Sequence, residues 1–255
     1  MSNGIDIARN GAVMTVAFSR PEKKNAITSA MYEALIEAFE EAERDSEIGA
    51  LMVTGKGGVF TAGNDIGDFL AIAAGAAGSR DARDFPGFHF TMTLADFEKP
   101  LIAAVEGAAV GIGTTLCLHC DLVYAARSAR FHMPFVNLGL VPEAGSSLLA
   151  PLRFGRAKAA EYLMLAEPFD AESALALGLV NAVLPEKDLL AHAISKAEAL
   201  AAKPRSALLA TRRLLRGDPA GLKAKMDEEI RAFSAAIGTR EARAAFQAFL
   251  SGARG

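Results

Sequence analysis

Residues 101–115, LIAAVEGAAVGIGTT, decide the fold because they join a wholly apolar run to a glycine-rich turn. A run such as Leu101–Val105 that ends at glycines is typical of a buried β-strand, and the residues after the turn favour a helix. The same order occurs earlier, where Ile48–Thr54 leads into three glycines between residues 55 and 58. We therefore expect a core of loosely repeated strand, turn and helix units, around Gly55–Asp68 and again around Gly107–His119.

The flanking sequence predicts further strands and a long helix. Strands are expected at Ile5–Arg9, Val13–Ser19 and Leu122–Ala126. Between them, Thr28–Glu43 carries apolar residues at helical spacing, and Thr28 is placed to cap the first turn. Strands that alternate with helices of this length predict an α/β fold whose sheet is buried on both faces.

Two later segments differ in composition. Ala71–Asp84 is rich in alanine, glycine, serine and charge, which predicts a mobile loop. From Pro185 onward the pattern is almost wholly helical, with breaks near Lys203–Pro204, Gly217–Pro219 and Gly238. This tail carries large apolar residues that predict either a subunit interface or packing back onto the core: Phe233, Ile237, Phe246, Phe249 and Leu250.

Composition and charge exclude several classes of partner. The 255 residues carry 27 Lys and Arg against 30 Asp and Glu, a net charge of -3, so no basic field attracts nucleic acid or an anionic membrane. No apolar run approaches the ~18 residues that a membrane-spanning helix needs. The first residues lack the order of a signal peptide, and the two cysteines fit a reducing compartment, so we expect a cytoplasmic protein.

Other interpretations of the motifs fail on their spacing. The segment Gly111–Leu116 begins like a dinucleotide-binding fingerprint but has leucine at the third glycine position. The glycines at 55–58 are not followed by the Gly-Lys-Ser/Thr of a phosphate loop. Cys117 and Cys120 lack a second pair of zinc ligands, so we expect them to be buried small residues. The four histidines lack the sequence context of a hydrolase nucleophile.

The two glycine-rich turns also suggest a chemistry. Glycines in Thr54–Ile66 and Val105–Thr115 leave backbone N–H groups accessible beside a following helix. Two such turns can direct two N–H donors at one oxygen, and the positive end of a helix dipole strengthens them. The sequence therefore predicts an oxyanion hole.

Taken together, these residues make the chain resemble the crotonase superfamily of enoyl-CoA hydratases and isomerases. It is most similar to 3,2-enoyl-CoA isomerases of the peroxisomal type and their bacterial relatives. The matching pieces, in order, are Arg20-Pro21 with Asn25-Ala26-Ile27, Phe60–Ile66, Gly107–Gly113, Asp121–Ala125 and Asn137–Glu143. The resemblance implies a spiral of repeated ββα units at residues 1–195 and a C-terminal helical trimerisation region at residues 196–255. It also implies an acyl-CoA thioester as substrate and a homo-oligomer, either a trimer or a dimer of trimers.

Carried over position by position, the resemblance implies roles for residues around the turns. The oxyanion donors are the backbone N–H groups of Asn64 and Ile112. Coenzyme A is part of the substrate, so no separate cofactor and no metal are expected. The residues implied to lie along it are Lys23, Lys24, Ala62, Asp65 and Ile66. The two lysines can equally be solvated surface residues.

The carboxylates distinguish between reactions. Hydratases of the family use two glutamates, but those positions match Thr115 and Phe135 here. A third family position holds Glu143, which in the isomerases is the single base. Phe135, Leu138 and Thr115 are expected to form an apolar acyl pocket, which should raise the pKa of Glu143. Alternatively, Glu143 is a first-turn carboxylate of the helix that begins near Gly145.

The sequence thus predicts an enzyme that moves the double bond of a 3-enoyl-CoA to the 2 position, with one glutamate base and one oxyanion hole. A hydratase is the nearest alternative, and it would have to use an unmatched carboxylate such as Asp68 or Glu106. An acyl-CoA-binding protein without turnover, or an RNA-binding relative, belongs to a different class and stays open.

Overall fold

The computed structural model describes residues 4–68 and 85–250, with side chains as far as residue 248. The mobile loop expected at Ala71–Asp84 lies outside these residues. The described strands are β1 (Ile5–Asn10), β2 (Val13–Phe18), β3 (Ala50–Gly55), β4 (Leu101–Val105), β5 (Ala108–Val110), β6 (Leu122–Ala126), β7 (Arg130–His132), β8 (Phe169–Asp170) and β9 (Ala182–Leu184). The α-helices, labelled in chain order, are α1 (Ser29–Arg44), α2 (Pro86–Asp96), α3 (Ile112–His119), α4 (Ser146–Phe154), α5 (Arg156–Ala160), α6 (Ala171–Ala176), α7 (Glu186–Ala201), α8 (Arg205–Arg216), α9 (Pro219–Ile237) and α10 (Arg240–Leu250). None of these described helices combines the length and the apolarity needed to cross a bilayer.

A six-stranded sheet in the order β1-β2-β3-β4-β6-β9 forms the centre of the molecule. β1 pairs antiparallel with β2, and the remaining neighbours are parallel. Along β3, Leu51 and Val53 belong to the hydrophobic cluster that contains α1, whereas Met52 belongs to the cluster that contains α7. Since alternate side chains of a strand point to opposite faces, both faces of this sheet are covered. The α/β fold with a doubly buried sheet is confirmed.

A second, smaller sheet in the order β5-β7-β8 accompanies the main one. β4 leads into β5 and then α3, while β6 leads into β7 and then the short 3-10 helix Val136–Leu138. After β3, Thr61 joins this second sheet through a bridge to Ala109 of β5. The units that begin with β4 and β6 therefore contribute one strand to each sheet, and the unit that begins with β3 joins the second sheet by a single bridge, as expected for repeated ββα units.

Successive units approach one another so closely that their turns require glycine. Gly107 has a φ of +62°, and a Cβ atom there would lie 2.2 Å from the carbonyl oxygen of Gly58. A side chain would push the two turns apart, and an L-residue would also be strained at this φ. The sequence pattern of strands ending in glycines thus reflects the contact between neighbouring turns.

The first long helix begins as predicted. Thr28 is the N-cap of α1, and its Oγ1 accepts a hydrogen bond from the N–H of Met31 at 3.3 Å. The buried face of α1 follows the expected helical spacing, with the addition of a tyrosine: Met31, Tyr32, Leu35, Ala38, Phe39 and Ala42.

The helical tail packs on the core of its own chain. Helix α7 lies on the main sheet through Leu189 and Ala197, and it runs unbroken through residue 195, so the boundary predicted there falls inside a helix. Phe233 of α9 lies edge-on to Phe88 of α2, with ring centroids 5.2 Å apart. Packing back onto the core is confirmed for three of the tail residues, Phe233, Ile237 and Phe246.

The subunit interface stays a prediction, with exposed leucines as its candidates. Leu152 of α4 is 75% exposed, and Leu214 and Leu215 of α8 are 85% and 83% exposed. The side chains of Phe249 and Leu250, which also contributed to this prediction, lie outside those described.

Asn25 links the glycine turn after β3 to the segment before α1. It is fully buried with a φ of +56°, and its Oδ1 accepts from the N–H of Arg20 at 2.8 Å. Its Nδ2 donates to the carbonyl oxygens of Lys56 and Val59 at 2.9 and 2.7 Å. One side chain therefore satisfies several backbone groups of two loops that border the site described below.

We expect Asn25→Ala to lower the free energy of unfolding by about 2–4 kcal/mol, because buried backbone groups lose their partner and alanine is disfavoured at this φ. Urea unfolding measures the change. Asn10→Ala is the matched control, because it removes one exposed hydrogen bond to Glu198 and should cost less than about 0.5 kcal/mol. Equal losses in the two variants would contradict this role of Asn25.

Candidate active site

The turn after β3 presents the backbone N–H of Asn64. The N–H of Ile27 donates to the carbonyl oxygen of Gly63, and the N–H of Asp65 donates to that of Ile27, both at 2.8 Å. These two hydrogen bonds use the residues on either side of Asn64. The N–H of Asn64 itself has no acceptor among the described residues. The turn lies against the next one, since a Cβ atom on Gly63 would be 2.8 Å from the carbonyl oxygen of Val110.

The turn after β5 presents the N–H of Ile112 in the same region. Gly111, with a φ of +56°, precedes α3, and its N–H donates to the carbonyl oxygen of His132 at 2.8 Å. Ile112 is the first residue of α3, and its N–H finds no acceptor within residues 4–68 and 85–250, as is usual for the first turn of a helix. The helix dipole adds positive potential at this point. The two turns thus bring Asn64 and Ile112 near each other with unused donors.

A cavity of about 90 Å³ lies beside these two turns. Its walls are mostly apolar, and they include the predicted pocket residues Phe135 and Leu138 as well as the predicted coenzyme A contacts Ala62 and Ile66. The tail supplies Phe233 and Phe246. Thr115 is not among the described walls of this cavity, contrary to its predicted place in the pocket, because it is fully buried against another group.

That group is Glu143. The hydroxyl of Thr115 donates to Oε1 of Glu143 at 2.6 Å, and Glu143 is 6% exposed. Burial raises the pKa of Glu143 to about 8; the hydrogen bond from Thr115 opposes this, and the charge of Glu229 adds to it. The expected rise in the pKa is confirmed, and the carboxyl can exchange a proton near neutral pH.

Contacts link Glu143 to the two segments that carry the N–H donors. Its partner Thr115 follows Ile112 by three residues in α3, about one helical turn or ~5 Å along the axis. The hydroxyl of Tyr32 donates to Oδ1 of Asn64, and the pKa of Tyr32 is raised by its burial and by the nearby charge of Glu143. Tyr32 thus feels the charge of Glu143 while it is bound to the side chain of Asn64, and Thr115 joins Glu143 to the helix that begins at Ile112.

The alternative role of Glu143, as a carboxylate that caps the next helix, is wrong. Helix α4 begins after Gly145, and the Glu143 side chain turns away from it to Thr115. A different carboxylate takes that place, because Glu229 accepts from the N–H groups of Gly145 and Ser147 at 2.6 and 2.9 Å. The buried side chain of Glu143 therefore does not cap this helix.

The predicted coenzyme A positions lie along one edge of the turn after β3. Lys23 and Lys24 are exposed, and the carbonyl oxygen of Lys24 accepts from the N–H of Ala62 at 2.9 Å. Asp65 forms an ion pair with Arg20 at 2.7 Å. Partial burial raises the pKa of Asp65, but hydrogen bonds from Arg20 and from backbone amides outweigh it and hold the value below the ordinary range. The side chain of Asp65 therefore fixes the loop.

The carboxylates considered for a hydratase lie elsewhere. Asp68 accepts from the N–H of Ser29 at 2.6 Å, at the start of α1. Glu106 lies in the turn after β4, where its Oε1 would be 3.7 Å from a Cβ atom on Gly58. Asp68 and Glu106 therefore lie beside other loops. Neither has a contact with Glu143 among the described residues.

Sequence reasoning missed three residues that hold this site together. Tyr32 binds Asn64, Glu229 binds the chain just after Glu143, and His119 holds the carbonyl oxygen of Ala144 through Nε2 at 2.7 Å. Burial lowers the pKa of His119 to about 4, so the ring is neutral and Nε2 carries the donated proton. Tyr32 and Glu229 are polar residues within apolar helix faces, which is the one signal that the sequence offered for them. The pair Cys117 and Cys120 is buried, as predicted.

The chain is similar to known proteins over most of its length. The family model described as Enoyl-CoA hydratase/isomerase matches residues 8–253. Enoyl-CoA delta isomerase 2 of Rattus norvegicus is 37% identical over 215 residues, which are 84% of this chain and 55% of that protein. The 2,3-dehydroadipyl-CoA hydratase of Escherichia coli (strain K12) is 32% identical over 245 residues, 96% of this chain and 94% of that protein.

The fold comparison agrees with the sequence comparison. The structure of Pseudomonas aeruginosa OdaA superposes with a TM-score of 0.92 and 44% identity, and the match covers 98% of this chain and 99% of that one. The chain spans about half the length of the rat and human delta isomerases that it matches. Because the family match extends over nearly every residue and the similarity of fold is as extensive, this chain belongs to the enoyl-CoA hydratase/isomerase family and has its crotonase-type spiral fold.

Proposed function

We propose that this protein moves the double bond of a 3-enoyl-CoA thioester to the 2 position. The proposal rests on Glu143, a buried carboxyl with a pKa of about 8 that is hydrogen-bonded to Thr115 of the helix that begins at Ile112. The other carboxylate close to it, Glu229, already accepts from two backbone amides. One group is thus suited to carry a proton, and an isomerisation requires one.

The reaction follows from these positions. Glu143 removes a proton from the α carbon of the 3-enoyl ester, and the electron pair of that C–H bond moves towards the thioester carbonyl. The N–H groups of Asn64 and Ile112 stabilise the negative charge that develops on the carbonyl oxygen. Glu143 then gives its proton to the γ carbon, so the double bond ends between the α and β carbons and the mass is unchanged. A carboxyl with a pKa near 8 suits both steps, because it is neither too weak a base nor too weak an acid.

Hydration of a 2-enoyl-CoA is the second candidate, since one relative of comparable length is a hydratase. Addition of water needs a group that holds and activates the water in addition to a proton donor. The positions that serve in family hydratases are Thr115 and Phe135 here, and Thr115 is engaged with Glu143. This arrangement favours isomerisation.

Two parallel incubations test the proposal. The protein is mixed with a trans-3-enoyl-CoA and, separately, with a trans-2-enoyl-CoA, while the absorbance of the conjugated thioester is followed and the products are weighed by mass spectrometry. We expect absorbance to rise at constant mass with the 3-enoyl ester. Loss of absorbance with gain of one water from the 2-enoyl ester, and no change in the 3-enoyl ester, would show a hydratase instead.

The exposed lysines of the turn provide a further prediction, on binding of coenzyme A. We expect the double variant Lys23→Ala/Lys24→Ala to raise KM for the CoA ester about 3- to 10-fold at low salt, with kcat unchanged, because exposed charges attract phosphates weakly and are screened by salt. Lys187→Ala/Lys196→Ala, on the exposed face of α7, is the control. The same ester built on pantetheine, which lacks the nucleotide phosphates, should not distinguish the variants. An unchanged KM for the CoA ester would leave the two lysines as solvated surface residues.

We propose that the enzyme uses no cofactor beyond the coenzyme A of its substrate. We also propose that the protein assembles as a homotrimer or a dimer of trimers. Light scattering of the purified protein measures this oligomeric state directly. The exposed leucines of α4 and α8 are the surfaces that such an assembly would cover.

A further inference from the structure

Glu229 is a charged residue on the apolar face of α9. It is 5% exposed, and it lies in register with the buried residues Met226, Ile230, Phe233 and Ile237 of the same helix. A buried carboxylate is costly unless it is hydrogen-bonded, so its contacts explain why it is tolerated. Those contacts are with the chain that follows Glu143.

Glu229 caps a helix from a distant part of the sequence. Helix α4 receives no side-chain cap from its own first residues, since its N-cap is Gly145. Oε2 of Glu229 accepts from the N–H of Gly145 at 2.6 Å, and Oε1 accepts from the N–H of Ser147 at 2.9 Å. Both oxygens are therefore occupied by donors at the positive end of a helix, an arrangement that favours the ionised carboxylate.

The capped turn is the one that carries Glu143. Ala144 and Gly145 both have positive φ, +57° and +70°, and alanine is strained in this conformation. The turn is held from three directions: Thr115 binds Glu143, His119 binds Ala144, and Glu229 binds Gly145. Loss of one of these contacts allows the turn to relax and changes where Glu143 points.

We propose that Glu229 is a positioning residue for Glu143, which fixes the strained turn after the base and keeps a second negative charge beside it. The role of Glu143 as base rests on the function proposed above. The contacts of Glu143 and Glu229 and their charges are independent of that function. Two carboxyls in one buried region cannot both ionise easily, so the one with more hydrogen-bond donors keeps its charge and the other takes up a proton more readily.

The groups that face the two carboxyls are consistent with this division. Burial holds the pKa of Glu229 above its ordinary value, although the side chain and amide of Ser147, the amide of Gly145 and the charge of Lys225 on the same helix oppose this rise. Around Glu143, α3 contributes the neutral Thr115 hydroxyl and the neutral ring of His119, and α1 contributes the hydroxyl of Tyr32. The charge of Glu229 adds to the effect of burial and raises the pKa of Glu143 further.

Three variants separate charge from packing. Glu229→Gln keeps the size but loses the charge and places an NH2 group against an N–H donor. Glu229→Asp keeps the charge with a shorter reach. Glu228→Gln makes the same chemical change one residue earlier, where the side chain is exposed and paired with Lys225, and serves as the control.

The first readout is the pH dependence of isomerisation. In Glu229→Gln we expect the rising limb of kcat/KM to move to lower pH by about one unit and kcat to fall about 10-fold at its plateau. Glu229→Asp should retain the position of the limb, and Glu228→Gln should match the unaltered protein. A merely structural role lowers folding stability without moving the limb, and a limb that stays in place in a folded Glu229→Gln variant overturns the proposal.

The second readout does not depend on activity. The chemical shift of the Glu143 side-chain carboxyl carbon, labelled with 13C and identified by its loss in Glu143→Gln, is titrated in the full-length protein. We expect its midpoint to fall by about one unit in Glu229→Gln and to stay in Glu228→Gln. A shifted midpoint in a protein without isomerase activity would reject the proposed function and retain the role of Glu229. An unshifted midpoint would overturn that role even in an active enzyme.

Discussion

Glu143→Gln is expected to lower kcat for the isomerisation of a 3-enoyl-CoA by about 10²- to 10⁴-fold, the range for loss of a general base. Glutamine has the same size, and its carbonyl oxygen can still accept the hydrogen bond from Thr115. It has no basic oxygen that can take a proton from the α carbon. Binding of the CoA ester should therefore remain nearly unchanged, because the contacts along coenzyme A are made by other residues.

Steady-state kinetics and equilibrium binding of an unreactive acyl-CoA measure the two effects separately. Glu106→Gln is the matched control, because it makes the same change in a half-buried carboxylate of the turn after β4. It should retain kcat for isomerisation, and a loss equal to that of Glu143→Gln would mean that Glu143 has no special place among the carboxylates of the site. An active Glu143→Gln enzyme would remove Glu143 from the mechanism.

Gly63→Ala is expected to lower kcat/KM by about 10²- to 10³-fold, comparable to removal of one oxyanion donor. A Cβ atom at this position would lie 2.8 Å from the carbonyl oxygen of Val110, and the φ of Gly63 is +85°. Relief of that clash separates the two turns and displaces the N–H of Asn64 from that of Ile112. The base is untouched, so the pH dependence should keep its shape while the rate falls.

The strain at positive φ also affects stability, and the control accounts for it. Gly178→Ala has the same kind of strain, with a φ of +75°, but an added Cβ atom there meets nothing within 4 Å. Both variants should lose about 1–3 kcal/mol of unfolding free energy, measured in urea, and only Gly63→Ala should lose activity. Equal activity of the two variants would contradict the role of the paired turns.

The fold could be predicted from sequence where local pattern and tertiary environment agree. Leu101–Val105 is apolar at each position, and such a run is explained by a strand buried on both faces. The turn after this strand contains Gly107 because the turn touches the preceding one. The same glycine pattern therefore indicates both the end of a strand and a contact between turns. The same agreement explains why Thr28 was recognised as a cap.

The site was predicted only as far as its individual residues. Glu143 and the two turns are visible in the sequence, but Thr115 was expected in the pocket wall and instead donates to Glu143. Glu229 lies 84 residues from its partner Gly145. The helical pattern of the sequence predicts the face of the helix on which Glu229 lies. It does not predict which loop packs against that face.

The tail shows the same limit in another form. Apolar residues such as Phe233 and Phe246 indicate only that a surface is covered, and the sequence left both the core and a second subunit open. In the described chain they are buried against the core and line the cavity beside the turns. Only the packed structure distinguishes these cases, because the apolar surface is the same in both.

The pH dependence of kcat/KM for isomerisation of a trans-3-enoyl-CoA is the decisive test of Glu143 as the base, since it reports the ionisation of the free enzyme. Glu143 must be ionised to accept a proton, so a raised pKa means that activity is low in acid and rises with pH. We expect a rise of about tenfold per pH unit that levels near pH 8, where the pKa of Glu143 lies. A rate that is constant down to the ordinary pKa of a glutamate, about 4.3, would contradict it.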